Sequence, residues 1–253
     1  MRCCYSFGYE KSRSRLGSGI AESPCKGVKL PRATNSRANE DEIPTIAEIR
    51  QIEQGLPENL KLAVWLMAGA GLRVGEAMAV SAKCVRGETL RVWQQMSLAP
   101  DPETGRYVTH LAPLKHRAEG DYRDIPIPKF LREKVKEHIA QHGTLSTPEA
   151  EEMLFRTKIN TLMSVDNFRH HWDKAVGALK LAYTPHDLRH YFASTALHGG
   201  VALNEVSAWL GHKSIKTTVD IYGHLTQEAS ARMRRVMQEA LSASPVATLP
   251  KAA

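Results

Sequence analysis

Residues 185–194 read PHDLRHYFAS and join a helix start to three polar side chains on one helical face. Pro185 favours an extended entry into the helix. His186, Arg189 and His190 follow at positions i, i+3 and i+4, a spacing that places them on the same side. Two histidines four residues apart could bind zinc, but the glutamate of the H-E-x-x-H pattern is absent and Arg189 between them repels a cation. The segment therefore favours an anion site over a metal site.

Two further polar groups follow on the C-terminal side. WLGHKS (209–214) places His212 in a turn after a glycine, and TTVDIYGH (217–224) places Tyr222 near the end of a helix. Taken singly, a histidine in a turn is usually solvated, and a tyrosine near a helix end usually packs its ring. In combination with the arginine-bearing helix just before them, they instead indicate one shared site.

Upstream, GLRVGE (71–76) supplies a second arginine. At helical spacing Arg73 and Glu76 share a face, so Glu76 can orient the guanidinium and leave its other edge free for an anion. An exposed ion pair contributes little, but Arg73 follows the apolar run WLMAGAGL (65–72), where a charge is costly unless it serves a site. Two arginines, two or three histidines and a tyrosine could clamp a phosphate and supply titratable donors and one nucleophile.

The net charge of the chain is concentrated at its N-terminus. The 253 residues carry 34 basic and 27 acidic groups, a net charge of +7. Residues 1–40 hold eight basic and three acidic groups (+5), and the remainder holds 26 and 24 (+2). A basic arm indicates either a polyanionic partner or a solvated tail, so charge alone does not establish nucleic-acid binding.

Other features argue against a membrane or secreted protein. No apolar run approaches the roughly 18 residues of a membrane span, and no apolar segment follows the N-terminal arginines as in a secretion signal. The four cysteines, Cys3, Cys4, Cys25 and Cys84, show no C-x-x-C spacing. We therefore expect reduced thiols, no structural zinc and a cytoplasmic protein without a membrane partner.

Periodicity predicts an α+β domain that is mostly helical. Residues 1–43 are rich in Gly, Ser, Pro and charge and are predicted to be a poorly ordered, basic arm and linker. Beyond a capping box at Thr45, the predicted helices lie at 56–71, 75–80, 129–142, 165–180, 186–198, 203–210, 214–222 and 226–241, with everything after Pro128 helical. The β-rich segments 89–97, 106–115 and 122–128 predict a small three-stranded antiparallel sheet. One domain therefore covers 44–241, ahead of a flexible tail at 242–253.

These motifs carry a resemblance. GLRVGE, HDLRHYFAS, LGHKS and the tyrosine ten residues after His212 occur in the order and spacing of the phage-integrase family, the tyrosine site-specific recombinases. Residues 44–241 resemble the catalytic domain of that family, and residues 20–31 resemble the linker that follows its N-terminal core-binding domain. Residues 1–16 do not resemble such a domain. The resemblance thus implies a tyrosine-recombinase catalytic fold whose preceding domain is missing or truncated.

Carried over residue by residue, the resemblance implies six catalytic residues and two supporting ones. The catalytic set is Arg73, Lys115, His186, Arg189, His212 and Tyr222, and the supporting pair is Glu76 and His190. Lys115 matches the lysine that the family places in a turn between two strands, with Arg117 and Arg123 as competing candidates. The family also implies double-stranded DNA as the partner, a monomer that becomes a homotetramer on DNA, and neither a cofactor nor a metal.

The implied chemistry is physically consistent. Two bidentate guanidinium groups can stabilise the charge that develops on the oxygens of an attacked phosphodiester. Only ~0.1% of an ordinary tyrosine is phenolate at pH 7, and forming it costs about 4 kcal/mol unless the cationic site or a base such as His186 lowers that cost. Three functions stay open: a recombinase that forms a 3′-phosphotyrosine, a DNA-binding module that no longer recombines, and a topoisomerase-like nicking and closing enzyme.

Overall fold

The computed structural model describes residues 43–101, 104–223 and 229–242. Its helices are α1 (Ile46–Gly55), α2 (Lys61–Ala70), α3 (Val74–Met78), α4 (Lys129–His142), α5 (Val165–Ala178), α6 (Pro185–His198), α7 (Leu203–Leu210), α8 (Ile215–Tyr222) and α9 (Ala229–Ser242). Its strands are β1 (Val85–Arg86), β2 (Thr89–Val92), β3 (Gln94–Pro100), β4 (Tyr107–Pro113), β5 (Arg123–Pro126), β6 (Leu145–Thr147) and β7 (Ala150–Met153).

The prediction of a mostly helical α+β domain is confirmed. The arm predicted at 1–43 and the tail at 242–253 lie, apart from one residue each, outside the described residues.

The small sheet is arranged differently from the prediction. The predicted strand 89–97 is interrupted at Trp93, and its two halves pair with different partners: β2 pairs with β1 and β5, whereas β3 pairs with β4. The three strands expected to form one sheet are thus divided between a three-stranded sheet and a two-stranded hairpin, all antiparallel. Alternation of apolar residues identifies each segment as a strand but does not determine which half of a long segment a partner pairs with.

The prediction that everything after Pro128 is helical is wrong for residues 145–153. There β6 and β7 form a hairpin, in which Leu145 lies opposite Met153. Both side chains are buried in the main core. Strands of three and four residues are too short to display a period of two, so burial at their ends, rather than local propensity, defines this hairpin.

Helix α2 is the centre of the main core. It carries an almost unbroken apolar sequence, KLAVWLMAGA, and packs against α1, α3, α4 and α6. The helix ends at Gly71, which adopts a left-handed conformation with φ +63°. A Cβ atom on Gly71 would lie 2.5 Å from Cδ1 of Phe192, so the missing side chain lets α6 approach the end of α2 closely.

A second, smaller apolar cluster lies between α6, α7 and α8. Its buried members are Ala193, Leu197, Val206, Leu210 and Tyr222. Because these three helices pack on one another, the segments HDLRHYFAS, WLGHKS and TTVDIYGH are brought to one corner of the domain. None of the helices in the described ranges combines the length and the hydropathy needed to cross a bilayer.

Candidate active site

Glu76 joins two arginines at the start of α3. One carboxylate oxygen accepts from the Arg73 side chain (Nη1, 2.8 Å) and the other from the Arg73 backbone N–H (2.8 Å). Arg123 of β5 binds both oxygens, with Nη2 at 2.6 Å and Nη1 at 3.2 Å. The predicted Arg73–Glu76 pair is present, but it forms because Arg73 precedes the first turn of α3 as an extended residue, not because both lie on one helical face.

Burial alone would raise the pKa of Glu76, whose side chain is 1% exposed. The charges of Arg123, Arg73 and Arg189 outweigh burial and lower the pKa to about 2. Glu76 is therefore ionised at any pH near neutrality. A buried carboxylate between two guanidinium groups fixes both of them, which gives Arg73 a defined orientation while 30% of its side chain stays exposed.

Arg189, on α6, forms hydrogen bonds to the segments GLRVGE and WLGHKS. It is 1% exposed, and its guanidinium donates to the carbonyl of Gly71 (2.6 Å) and to the carbonyl of Leu210 (2.5 Å). Arg73 donates to the neighbouring carbonyl of Gly211 at 3.4 Å. Burial and, secondarily, the charge of Arg73 lower the pKa of Arg189 to about 9, so it remains cationic at pH 7. The two arginines therefore meet at the corner between α7 and α8.

Two of the predicted histidines are neutral at pH 7. Burial, followed by the effect of His190, lowers the pKa of His186 to about 4. Burial, followed by the charges of Arg189 and Arg73, lowers the pKa of His212 to about 4. His212 is half-buried rather than solvated, and its Nδ1 lies 2.7 Å from Oγ1 of Thr218. Each neutral ring can donate a hydrogen bond to an oxygen ligand without adding charge to the site.

Tyr222 is the last residue of α8 and is 2% exposed. Its hydroxyl lies 2.6 Å from Nδ1 of His190, one turn along α6 from His186. Burial raises the pKa of Tyr222 above its usual value, although the charge of Arg189 opposes the rise. His186, the base considered from the sequence, instead contacts the ring of His190 edge-on, with centroids 4.9 Å apart. The histidine within hydrogen-bond distance of the Tyr222 hydroxyl is therefore His190 and not His186.

The three candidates for the strand-turn residue have different surroundings. Arg123 is buried. It donates through Nε to the carbonyl of Trp209 (2.7 Å) and through its other two nitrogens to Glu76, so all three of its nitrogens already have acceptors. Arg117 closes its own turn by donating to the carbonyl of Tyr122 (3.1 Å). Lys115 is exposed in the turn after β4, and within the described ranges no hydrogen bond or ion pair joins it to the rest of the site. Lys115 therefore stays a prediction.

Sequence reasoning did not identify Arg123 as a partner of Glu76. A signal existed, because β5 alternates and the buried Ile125 lies two residues after Arg123, so both side chains point to the same face. Nothing in the sequence names the partner, since Glu76 lies 47 residues earlier. Thr218, the partner of His212, was missed in the same way.

The assembled site is cationic. Arg73, Arg123 and Arg189 contribute three positive charges and Glu76 one negative charge, a net charge of +2 among these four residues. Among the described residues no group of three or more His, Cys, Asp or Glu side chains is placed to hold a metal ion. The arrangement suits an anion, held beside a neutral tyrosine hydroxyl.

Fold and site together define an α+β domain that gathers arginines, histidines and one buried tyrosine around an anion-binding corner. The Phage integrase family matches residues 36–229, well over half of the chain, and the chain belongs to this family. The XerC-like tyrosine recombinase of Caldanaerobacter subterraneus is 27% identical over 225 residues, which cover 81% of this chain and 57% of that protein. Tyrosine recombinase XerC of Vibrio atlanticus is 26% identical over 216 residues, covering 83% and 62%.

Solved structures support the fold. The Tn1549 transposon integrase, in complex with circular intermediate DNA, has a TM-score of 0.64 at 19% identity, covering 78% of this chain and 68% of that chain. The catalytic domain of bacteriophage HP1 integrase has a TM-score of 0.51 at 16% identity, covering 80% and 98%. The predicted tyrosine-recombinase catalytic fold is therefore confirmed. The chain spans 57% and 62% of the length of the two curated relatives named above.

Proposed function

We propose that this chain is a site-specific DNA recombinase that cuts and rejoins DNA through a 3′-phosphotyrosine formed by Tyr222. The observation that carries the proposal is the convergence of Arg73, Arg189 and Tyr222, from three separate motifs, at one buried corner. The family and the DNA complex of the Tn1549 integrase support DNA as the substrate. Residues 44–241 are proposed to be the catalytic domain.

The charge of the site fits the reaction. A phosphodiester carries one negative charge, and attack by a tyrosine oxygen adds a second in the transition state. The net charge of +2 among Arg73, Arg123, Arg189 and Glu76 matches that doubly negative species better than the substrate, which is the requirement for catalysis. His186 and His212, neutral at pH 7, can donate hydrogen bonds to its oxygens.

The reaction also needs two proton movements and a rearrangement. The hydroxyl proton of Tyr222 must leave as the oxygen attacks phosphorus, and the departing 5′-oxygen must gain a proton. Lys115 is the proposed donor to the leaving oxygen. It lies in an exposed turn, which would have to bring its side chain to the site when DNA binds. Because Tyr222 is 2% exposed, bound DNA must displace part of the packing above its hydroxyl before attack.

Covalent capture tests the proposal. The chain would be incubated with duplex oligonucleotides of randomised sequence that carry a nick in one strand, so that the short fragment released by attack diffuses away and religation is prevented. We expect an adduct that survives denaturation with the intact chain and none with Tyr222→Phe, since that change removes one hydroxyl and keeps the ring. DNA affinity should be equal for both. Tyr191→Phe, on α6, is the matched control.

The other two functions are outcomes of the same experiment. DNA binding without an adduct would indicate a module that does not recombine. An adduct followed by relaxation of supercoiled DNA, with no exchange between duplexes, would indicate a nicking and closing enzyme. An adduct that persists in Tyr222→Phe would mean that another residue is the nucleophile. We further propose a homotetramer on DNA, a separate property that covalent capture does not measure.

A further inference from the structure

We infer that His190 is the catalytic base of this site: its Nδ1 accepts the hydroxyl proton of Tyr222 when the tyrosine attacks DNA, and returns it on religation. This role rests on the proposed function. The resemblance of the motifs implies only a supporting role for His190. The catalytic role is carried by the 2.6 Å contact between Nδ1 of His190 and the hydroxyl oxygen of Tyr222.

The direction of this hydrogen bond follows from donors and acceptors. A phenol has one O–H, and burying it without an acceptor is costly. Tyr222 is buried and protonated, so its proton requires a lone pair nearby. The guanidinium of Arg189 offers donors only, and two of them are already directed at the carbonyls of Gly71 and Leu210. The unprotonated Nδ1 of His190 is the acceptor at hydrogen-bond distance.

The surroundings of His190 suit a proton acceptor. It lies in the second turn of α6, directly after Arg189, so one helix holds both the phosphate-binding group and the base. His186 packs edge-on against its ring. The charged groups that act on Tyr222 from this helix are Arg189, which favours the phenolate, and Asp187, which opposes it. Asp187 is itself held by Thr184, its capping-box partner.

The step balances without a further reactant. The bond between the Tyr222 oxygen and phosphorus forms as the bond between phosphorus and the 5′-oxygen breaks, and the hydroxyl proton moves to Nδ1 of His190. Lys115, or water in its absence, protonates the 5′-oxygen. On religation a 5′-hydroxyl attacks the phosphotyrosine and gives its proton back to the group that had protonated it, while His190 returns its own proton to the departing tyrosine oxygen, as microscopic reversibility requires.

Two variants separate proton transfer from positioning. His190→Asn places an amide oxygen near the position of Nδ1, so it can accept the hydrogen bond but cannot take the proton. His190→Ala removes both functions. With a duplex selected by the capture experiment, we expect both variants to bind DNA as the intact chain does and to form the adduct about 100-fold more slowly or worse. His198→Asn, at the far end of α6, is the control and should react normally.

Each other result overturns the inference in a distinct way. A near-normal rate for His190→Asn would mean that His190 only positions the hydroxyl. A faster rate for His190→Ala would mean that the contact holds Tyr222 in an inactive pose. Both results require that the intact chain forms the adduct, so they differ from failure of the proposed function, in which the intact chain forms none.

A spectroscopic measurement tests the same contact without any reaction. If Nδ1 accepts from Tyr222, His190 must carry its proton on Nε2. Nitrogen-15 NMR of the DNA-free chain, with the ring signals of His190 assigned by comparison with His190→Asn, should show the Nε2–H tautomer and a change at Nδ1 in Tyr222→Phe. The Nδ1–H tautomer would overturn the inference, because that nitrogen could not then accept a proton.

Discussion

At the scale of single residues, the buried carboxylate of Glu76 is the group on which the arginines depend. Glu76→Gln would leave Arg123 and Arg73 without their negative partner, and Arg123 is itself buried. Removing one partner of a buried pair typically costs about 3–5 kcal/mol, so we expect a loss of stability of that order in urea unfolding. Glu58→Gln, which breaks an exposed pair with Lys61, is the matched control and should change stability by less than about 1 kcal/mol. Equal effects in the two variants would contradict the central role of Glu76.

The same carboxylate predicts a dependence of stability on pH. The pKa of Glu76 is lowered to about 2 in the folded chain, against about 4.3 when unfolded. A lowered folded pKa contributes stability that is fully present above the unfolded pKa and is lost as pH falls toward the folded value. We expect this contribution, about 3 kcal/mol, to disappear between about pH 4.5 and pH 2. Unfolding free energies measured across this window should fall more steeply for the intact chain than for Glu76→Gln.

The predictability of the site differs from residue to residue for a physical reason. Arg73, His186, Arg189, His212 and Tyr222 stand in short motifs whose glycines and helical spacing are visible in the sequence, and the fold brings those motifs together. The contacts between them join residues far apart in the chain, 118 positions for Arg189 with Gly71 and 32 for His190 with Tyr222. Local patterns carry no information on such pairings, so the contact between His190 and Tyr222 could not be predicted from the sequence.

At the scale of elements, the junction of α2 and α6 depends on Gly71. Its φ of +63° is left-handed, and a Cβ there would lie 2.5 Å from Phe192. Gly71→Ala should therefore combine backbone strain with overpacking and destabilise the chain by about 2–4 kcal/mol. Gly87→Ala is the matched control, because φ is +61° but nothing lies within 4 Å of the added methyl. Thermal melts of both variants should show the larger drop in Tm for Gly71→Ala; equal drops would show that Phe192 yields easily.

The elements themselves were predictable in proportion to their length. Helices of fourteen residues such as α4 and α6 show their period clearly, and the structure places both within two residues of the prediction. The short strands β6 and β7 show none, and they form because Leu145 and Met153 reach the core. The division between β2 and β3 likewise follows from their partners: β2 pairs with β5, whose paired residues lie 31 to 37 positions away along the chain, whereas β3 pairs with β4.

At the scale of the whole molecule, helix α9 presents exposed apolar side chains to solvent. Three of its apolar side chains, Met233, Met237 and Leu241, follow one another at intervals of four residues and are exposed, Met233 by 58% and Leu241 by 78%. That spacing forms one apolar stripe, and the exposed Arg234 and Arg235 lie off it. A stripe of this kind is typical of a surface that a partner covers. We propose that the partner is a neighbouring copy of the chain in a tetramer on DNA.

The prediction follows from exposure. Replacing Met233, Met237 and Leu241 by Gln together should leave Tm nearly unchanged, because these side chains are already in water, and should leave the affinity of one copy for DNA intact. The triple replacement should abolish assembly beyond one copy per binding site, because the apolar contact between α9 and the neighbouring copy is lost. Sedimentation velocity with and without a duplex from the capture experiment measures this, with Gln238→Ala as a control off the stripe. A drop in Tm of several degrees would show instead that α9 belongs to the core of its own domain, and the same Tm with assembly intact would place the contact between copies elsewhere. Deleting residues 226–253 extends the test to the whole helix. If α9 acts between copies, the shortened chain should stay folded and monomeric and should bind DNA without cooperativity, because removing such a helix leaves the core of its own domain covered.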